Sequence, residues 1–182
     1  MDGIGELKRL SSGPGSEDDS SEKGKYMTFK SGNEYYGLAI QYVNEIIQMQ
    51  EITAIPETDD YIMGLINLRG KVVPVIDVRL RFKQPPQEYN DRTCIIVINV
   101  KSAVVGLIVE QIAEVVEIDE NNILPPPKIG HADKAQSKYV YGIGKVGNSV
   151  KLLLDPDKLL NDDDLSAGEK ASDMNMDEEG EV

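Results

Sequence analysis

At 182 residues, 40% of them hydrophobic, the chain has room for one domain or two small ones around a real core. Its formal charge of −13 sits at the ends: residues 162–182 hold nine acids and one base, residues 1–24 six acids and three bases, and residues 25–161 are nearly balanced at 17 acids and 15 bases. That leaves no concentrated positive field for nucleic acid or an anionic membrane. Nor is there an N-terminal apolar run for a signal peptide, or a stretch of about 18 apolar residues for a membrane span. A single cysteine, Cys94, excludes an internal disulfide and suits a reducing compartment.

In chain order, residues 1–24 are rich in Ser, Gly and acids with no hydrophobic period, the pattern of a disordered arm. Short apolar runs then alternate with turn signals. Residues 26–31 and 34–40 flank Gly32-Asn33 and predict a hairpin. Strands are predicted at 45–50, 64–68 and 71–76, and again at 93–100, 103–109, 114–118, 139–146 and 149–154. Asp59-Asp60 offers a helix start before Tyr61. Residues 162–182 form an acidic, solvated tail. Ten short strands with few helices, in a chain without Trp and with two Phe, predict an all-β protein of sandwiches or barrels.

The chain also repeats itself. GLAIQYVNEII (37–47) matches GLIVEQIAEVV (106–116) at an offset of 69, and GLINLRGKVVPVIDVRLRF (64–82) matches GIGKVGNSVKLLLDPDKLL (142–160) at 78. The nine extra residues fall within 125–138, a loop, where insertion costs least. Asp155 precedes Pro156, the signature of a helix N-cap with proline at the first helical position. Its twin Asp77 is therefore read as the cap of a helix over 78–82, with a catalytic carboxylate as the alternative. Pro74 has no N–H for a ladder, so its strand is expected at an edge or at a bulge.

Catalytic constellations are absent. The one histidine, His131, lies in the lengthened loop with no nucleophile-elbow sequence, and one His with one Cys composes no ordinary zinc site. Gly142, Gly144 and Gly147 fall in a predicted hairpin and make no phosphate cradle. What remains is surface. Tyr35, Tyr36, Tyr42, Val43 and Glu45 cluster where the first half turns between strands, and Gly64, Arg69 and Gly70 lie on the following hairpin. Glycines there let another backbone come close, and an arginine with an aliphatic rim makes a partner anchor. A merely solvated turn arginine and strand-end packing of Val43 are the competing readings. Arg69 falls opposite Gly147 in the second copy, so it is the unshared residue and the better functional candidate.

VNEIIQ, GLINLRGKVVPVIDVRLRF, VVGLIVEQIAEVVEI and YGIGK with KLLLDPDKLL together resemble the CheW family of chemotaxis coupling proteins over residues 25–161. The resemblance implies two five-stranded SH3-like barrels sharing a hydrophobic core, one about 25–90 and one about 91–161, with strand exchange allowed between them. It implies a non-catalytic, cofactor-free cytoplasmic adaptor binding the regulatory domain of the histidine kinase CheA and the cytoplasmic tips of chemoreceptors. The kinase itself and the CheV relatives share the fold but carry further domains that 182 residues do not accommodate. Carried over by motif, the receptor-facing residues are Val43, Glu45, Gly64, Arg69, Ile112 and Val115, the last two bordering the same groove. The kinase contact is expected at strand ends and turns. Cys94 stands where the family usually has an apolar residue. A coupling protein of another chemosensory-type pathway, such as surface motility, is the alternative.

Overall fold

The structure is a computed structural model that describes residues 19–126 and 138–160; the expectations for His131, for the acidic tail and for the arm before residue 19 fall outside these. The chain runs through α1 (Asp19–Glu22), β1 (Lys25–Ser31), β2 (Glu34–Ala39), a 3-10 turn (Ile40–Tyr42), β3 (Val43–Gln48), β4 (Ile62–Leu68), β5 (Lys71–Asp77) and α2 (Val78–Arg81). The second half follows with β6 (Cys94–Val100), β7 (Ala103–Val109), β8 (Gln111–Glu117), a 3-10 turn (Glu120–Asn122), β9 (Ile123–Leu124), β10 (Val140–Val146), β11 (Ser149–Leu154) and α3 (Pro156–Leu159). All ten predicted strands are present. The two-residue β9 was not foreseen, being too short to carry a period.

The repeat survives folding element by element. A shift of 69 carries β1 onto β6, β2 onto β7 and β3 onto β8; a shift of 78 carries β4 onto β10, β5 onto β11 and α2 onto α3. The hydrogen-bonded order is β8-β1-β2-β11-β10-β9 in one sheet and β3-β6-β7-β5-β4 in the other. Substituting twins turns one order into the other, apart from β9. The sheets therefore trade hairpins: β1–β2 lies among strands of the second half, and β6–β7 among strands of the first.

Each sheet curls into a barrel. β8 and β9 lie at opposite edges of their sheet yet are joined by residues 118–122 alone, so the edges must approach. In the other sheet Thr53, shortly after β3, exchanges two 2.8 Å backbone bonds with Leu65 of β4. The fold is thus all-β, in two SH3-like barrels with matching bulges at Met27/Phe29 and Val43/Glu45, and at Ile62/Gly64 and Val140/Gly142.

Three apolar clusters fill this frame. Ile66, Val73, Val75, Ile95, Val97 and Ile108 fill one barrel, and Tyr26, Val116, Ile118 and Leu153 the other. The largest cluster lies between them and takes Phe29, Tyr36 and Leu38 from one sheet and Ile96, Ile98 and Leu107 from the other. β6 shows why its sequence is a continuous apolar run: Ile95 and Val97 face the barrel interior, Ile96 and Ile98 the shared core, so both faces are buried. Each such fully buried side chain contributes about 1.5–3 kcal/mol. Tyr36, expected at a surface turn, is instead fully buried; it stacks at 5.7 Å on Phe29 and 4.9 Å on Phe82, both phenylalanines of the chain.

Two further expectations are corrected. Asp59-Asp60 starts no helix; Tyr61 leads directly into β4, and its carbonyl accepts from Asp77 N at 2.8 Å. Pro74 lies in an interior strand, which overturns the edge reading, while the β4–β5 ladder does carry a bulge next to it, at Ile62/Gly64 opposite Val75 and Ile76. The cross-strand partner of Pro74, Leu65, spends both backbone groups on Thr53, and parallel pairing with β7 begins only at Val75, so no ladder bond needs the missing N–H.

Candidate functional site: the outer edge of one barrel

β3, VNEIIQ, is an edge strand with alternating exposure. Val43, Glu45 and Ile47 are half-buried, while Asn44, Ile46 and Gln48 face solvent. Val43 packs against the shared core. Ile46, absent from the residues singled out by sequence, is an exposed apolar side chain next to Glu45, and the period-2 pattern of the strand already points it outward.

Arg69 reaches Glu45 from the opposite edge of the same sheet. It sits with Gly70 in the two-residue turn between β4 and β5, and both have positive φ, 53° and 84°. That is the type I′ hairpin geometry, which glycine and asparagine enter most easily. The second copy obeys the preference, with Gly147 at φ 58° in the position of Arg69. An arginine there gains nothing for the turn. Its guanidinium instead forms a bidentate pair with the Glu45 carboxylate, Nη1 to Oε1 at 2.9 Å and Nη2 to Oε2 at 2.5 Å. The hydrogen bond and the charge of Glu45 raise the Arg69 pKa further above its ordinary value. The pair staples the barrel seam and leaves the remaining guanidinium donors in solvent, where the Arg69 side chain is 74% exposed.

Gly64 has a different task from the one expected. A Cβ there would lie 2.1 Å from the Thr53 carbonyl oxygen, and its φ is +140°. The backbone that comes close is the chain's own, and Gly64 is buried beneath it. Its twin Gly142 is crowded differently: a Cβ there would lie 2.8 Å from the Ile123 side chain of β9 and 3.4 Å from the Leu124 carbonyl oxygen.

Ile112 and Val115 lie on β8, the corresponding edge of the other sheet, opposite Phe29 and Met27. By the repeat Ile112 is the twin of Val43 and Val115 the twin of Ile46. Ile112 packs on the shared core as Val43 does, and Val115 is exposed as Ile46 is. Glu114, the twin of Glu45, has its backbone held on both groups by the buried Thr28 hydroxyl, at 2.6 and 3.1 Å. Cys94 is half-buried at the end of β6, and burial pushes its thiol pKa up, away from reactivity. Among the described residues no group of three or more His, Cys, Asp or Glu is placed to hold a metal ion, and no helix is long and apolar enough to cross a membrane.

Two barrels with exchanged hairpins, an apolar edge and a charged clasp define an interaction scaffold. The chain belongs to the CheW-like domain family, whose profile matches residues 25–164. It is 35% identical over 142 residues to the chemotaxis protein CheW of Klebsiella aerogenes, covering 78% of this chain and 84% of that protein. The CheW of Helicobacter pylori is 28% identical, with 87% and 94% covered. The crystal structure of the scaffolding protein TtCheW from Thermoanaerobacter tengcongensis superposes with a TM-score of 0.70 at 36% identity, over 78% of this chain and 94% of that one.

Proposed function

We propose that this protein is a non-catalytic chemotaxis adaptor in the cytoplasm, coupling the signalling tips of chemoreceptors to the regulatory domain of the histidine kinase CheA and so controlling its autophosphorylation. The observation that carries this reading, beyond family membership, is the Glu45–Arg69 clasp held in a backbone conformation that costs an arginine more than a glycine. Val43 and Ile46 beside it supply an apolar strip with a charged rim. A receptor tip that is a helical hairpin lays an apolar helix face on such a strip, and the two charges set its register. Ile112 and Val115 extend the contact to the second barrel, and the kinase takes strand ends and turns of both. Single contacts of this kind are weak, and an array multiplies them by avidity.

The reading is tested by Arg69→Glu. An exposed pair adds little to stability, so the thermal midpoint should move by no more than about 2 °C. Receptor-fragment binding should weaken about tenfold or more in pull-down titrations, with binding to the CheA regulatory domain retained. Unchanged receptor binding removes Arg69 from the site. The swap Glu45→Arg with Arg69→Glu rebuilds the clasp with reversed polarity; if it restores receptor binding, the clasp acts on the fold and not on the receptor.

A further inference from the structure

The two barrels end differently beside their β4–β5 and β10–β11 turns. In one, Val73 and Val104 stand two residues before the Val75–Gly106 pair and belong to the apolar filling, and Asn99 lies directly opposite Val104. The repeat puts Lys151, Tyr35 and Lys30 at these three places in the other barrel, two residues before the Leu153–Gly37 pair. All six positions are described residues. Lys151 is 6% exposed, close to the 3% of the valine it replaces, yet its stem ends in an ammonium. That ammonium lies over the Tyr35 ring at 4.2 Å, and among the described residues it has no ion pair and no hydrogen-bond acceptor. An aromatic face offsets only part of the hydration that an ammonium gives up on burial. Lys30, directly opposite Tyr35 and so on the same face, is likewise without an acid. The clasp of the first barrel is missing as well: Glu114 and Gly147 stand for Glu45 and Arg69, and Glu114 pairs with neither lysine.

We propose that this barrel mouth docks the chain's own acidic segment, residues 162–182, one of whose carboxylates takes Lys151 Nζ on the side away from the Tyr35 ring. Charge selects that segment from those outside the described residues. Residues 162–182 hold nine acids and one base, residues 1–18 four acids and two bases, and residues 127–137 one acid and two bases. Leu165, Met174 and Met176 give the same segment apolar side chains for the exposed Tyr35. Length permits the contact. Lys151 lies about 10 Å back along β11 from Leu154, and residues 155–160 add at most about 20 Å. Residues 161–173 span up to about 45 Å, so every acid from Asp173 onward is within reach. Tethering presents these carboxylates at about millimolar local concentration, and an acidic segment of another protein has to displace them.

The test is zero-length crosslinking of the full chain with a water-soluble carbodiimide, which joins an amine to a carboxylate already in contact, mapped by mass spectrometry. A link from Lys151 to an acid within 162–182 is expected, at about five times the yield or more of any link from Lys145, which is exposed and faces away on the neighbouring strand. In 1 M sodium chloride, where charges are screened within about 3 Å, the yield should fall about fivefold or more. Lys151→Met should speed cleavage by a glutamate-specific protease at Glu178 and Glu179 about threefold or more. The valine at the twin position shows that the barrel accepts an aliphatic side chain there. Should that variant fail to fold by circular dichroism, a chain with Asp173→Asn, Asp177→Asn, Glu178→Gln, Glu179→Gln and Glu181→Gln is compared with the parent by nitrogen–proton correlation spectra. The Lys30 and Tyr35 amide signals should move, and those of Val73 and Val104 should stay. Absence of the Lys151 link, an equal yield at Lys145, unchanged cleavage in a folded Lys151→Met chain, or unmoved Lys30 and Tyr35 signals overturns the proposal. A link to residues 1–18 gives the mouth to the other end of the chain, and a link formed only between nitrogen-14 and nitrogen-15 copies gives it to a second molecule. Either result overturns the proposal too.

Discussion

Gly64 and Arg69 sit five positions apart on one hairpin and answer opposite demands. Gly64 makes barrel closure possible: any side chain would strike the Thr53 carbonyl and break the Thr53–Leu65 bridge that joins the sheet edges. Gly64→Ala should destabilise by about 2–4 kcal/mol in urea unfolding, combining backbone strain at positive φ with overpacking. It should also weaken receptor binding only through the loss of folded protein, whereas Arg69→Glu should weaken binding with the fold intact. A Gly64→Ala protein of normal stability removes the closure role. Gly64 is then available again as a contact residue.

At the scale of elements, the paired caps show how equal sequence patterns acquire unequal weight. Asp77 is 5% exposed and holds both α2 and the Tyr89 hydroxyl, while Asp155 is half-buried and caps α3. Asp155→Ala should therefore cost about 1 kcal/mol, the worth of a cap, and Asp77→Ala about 2–4 kcal/mol, since it also strands a partly buried hydroxyl. Burial first, and then the charge and hydrogen bond of Asp77, raise the Tyr89 pKa above its ordinary value near 10. Below about pH 10 the phenol is neutral folded or unfolded and stability does not depend on it. Above about pH 10 the unfolded chain ionises first, so stability falls as pH rises toward the folded pKa. Urea midpoints measured from pH 9 to 11.5 should decline, and less steeply in Tyr89→Phe; an identical slope in that variant removes Tyr89 as the source. The caps, the strands and the pairing of the two copies were legible because local chemistry writes them: an Asp-Pro step, a period of two, a glycine before a hairpin. Tyr89 was not, since its partner lies 12 residues away around a linker with no period. The Glu45–Arg69 clasp was legible as two candidates but not as a pair, because what brings them together is curvature of the sheet and not spacing in the chain. Gly64 misled for the same reason: the sequence shows that a backbone comes close, and only closure of the barrel shows whose.

For the molecule as a whole, hairpin exchange makes the two halves one folding unit. Cutting at residue 92 leaves the first half with β3 on one side and β5–β4 on the other of a gap that β6 and β7 fill, and leaves the second half with the mirror-image gap of β1 and β2. The shared core loses one wall in each fragment. Arg81 shows the coupling at a single residue. Its guanidinium lies over Tyr61 at 4.2 Å and over the twin ring Tyr139 at 5.0 Å, and Nε donates at 2.9 Å to the carbonyl of Leu159, the counterpart of Arg81 itself, so one side chain from the first half closes on both halves. Fragments 1–92 and 93–182 should each give the circular dichroism spectrum of an unfolded chain, and mixing them should restore the sheet signal and one cooperative melt, with contact pairing of high sequence separation making reassembly slow. Arg81→Ala in the intact chain should lower stability by about 2–4 kcal/mol, through an unanswered buried carbonyl and lost stacking, without splitting the transition. If either fragment folds alone, or the Arg81 variant melts in two steps, the barrels are independent domains, and a signal could not pass between them through a common core.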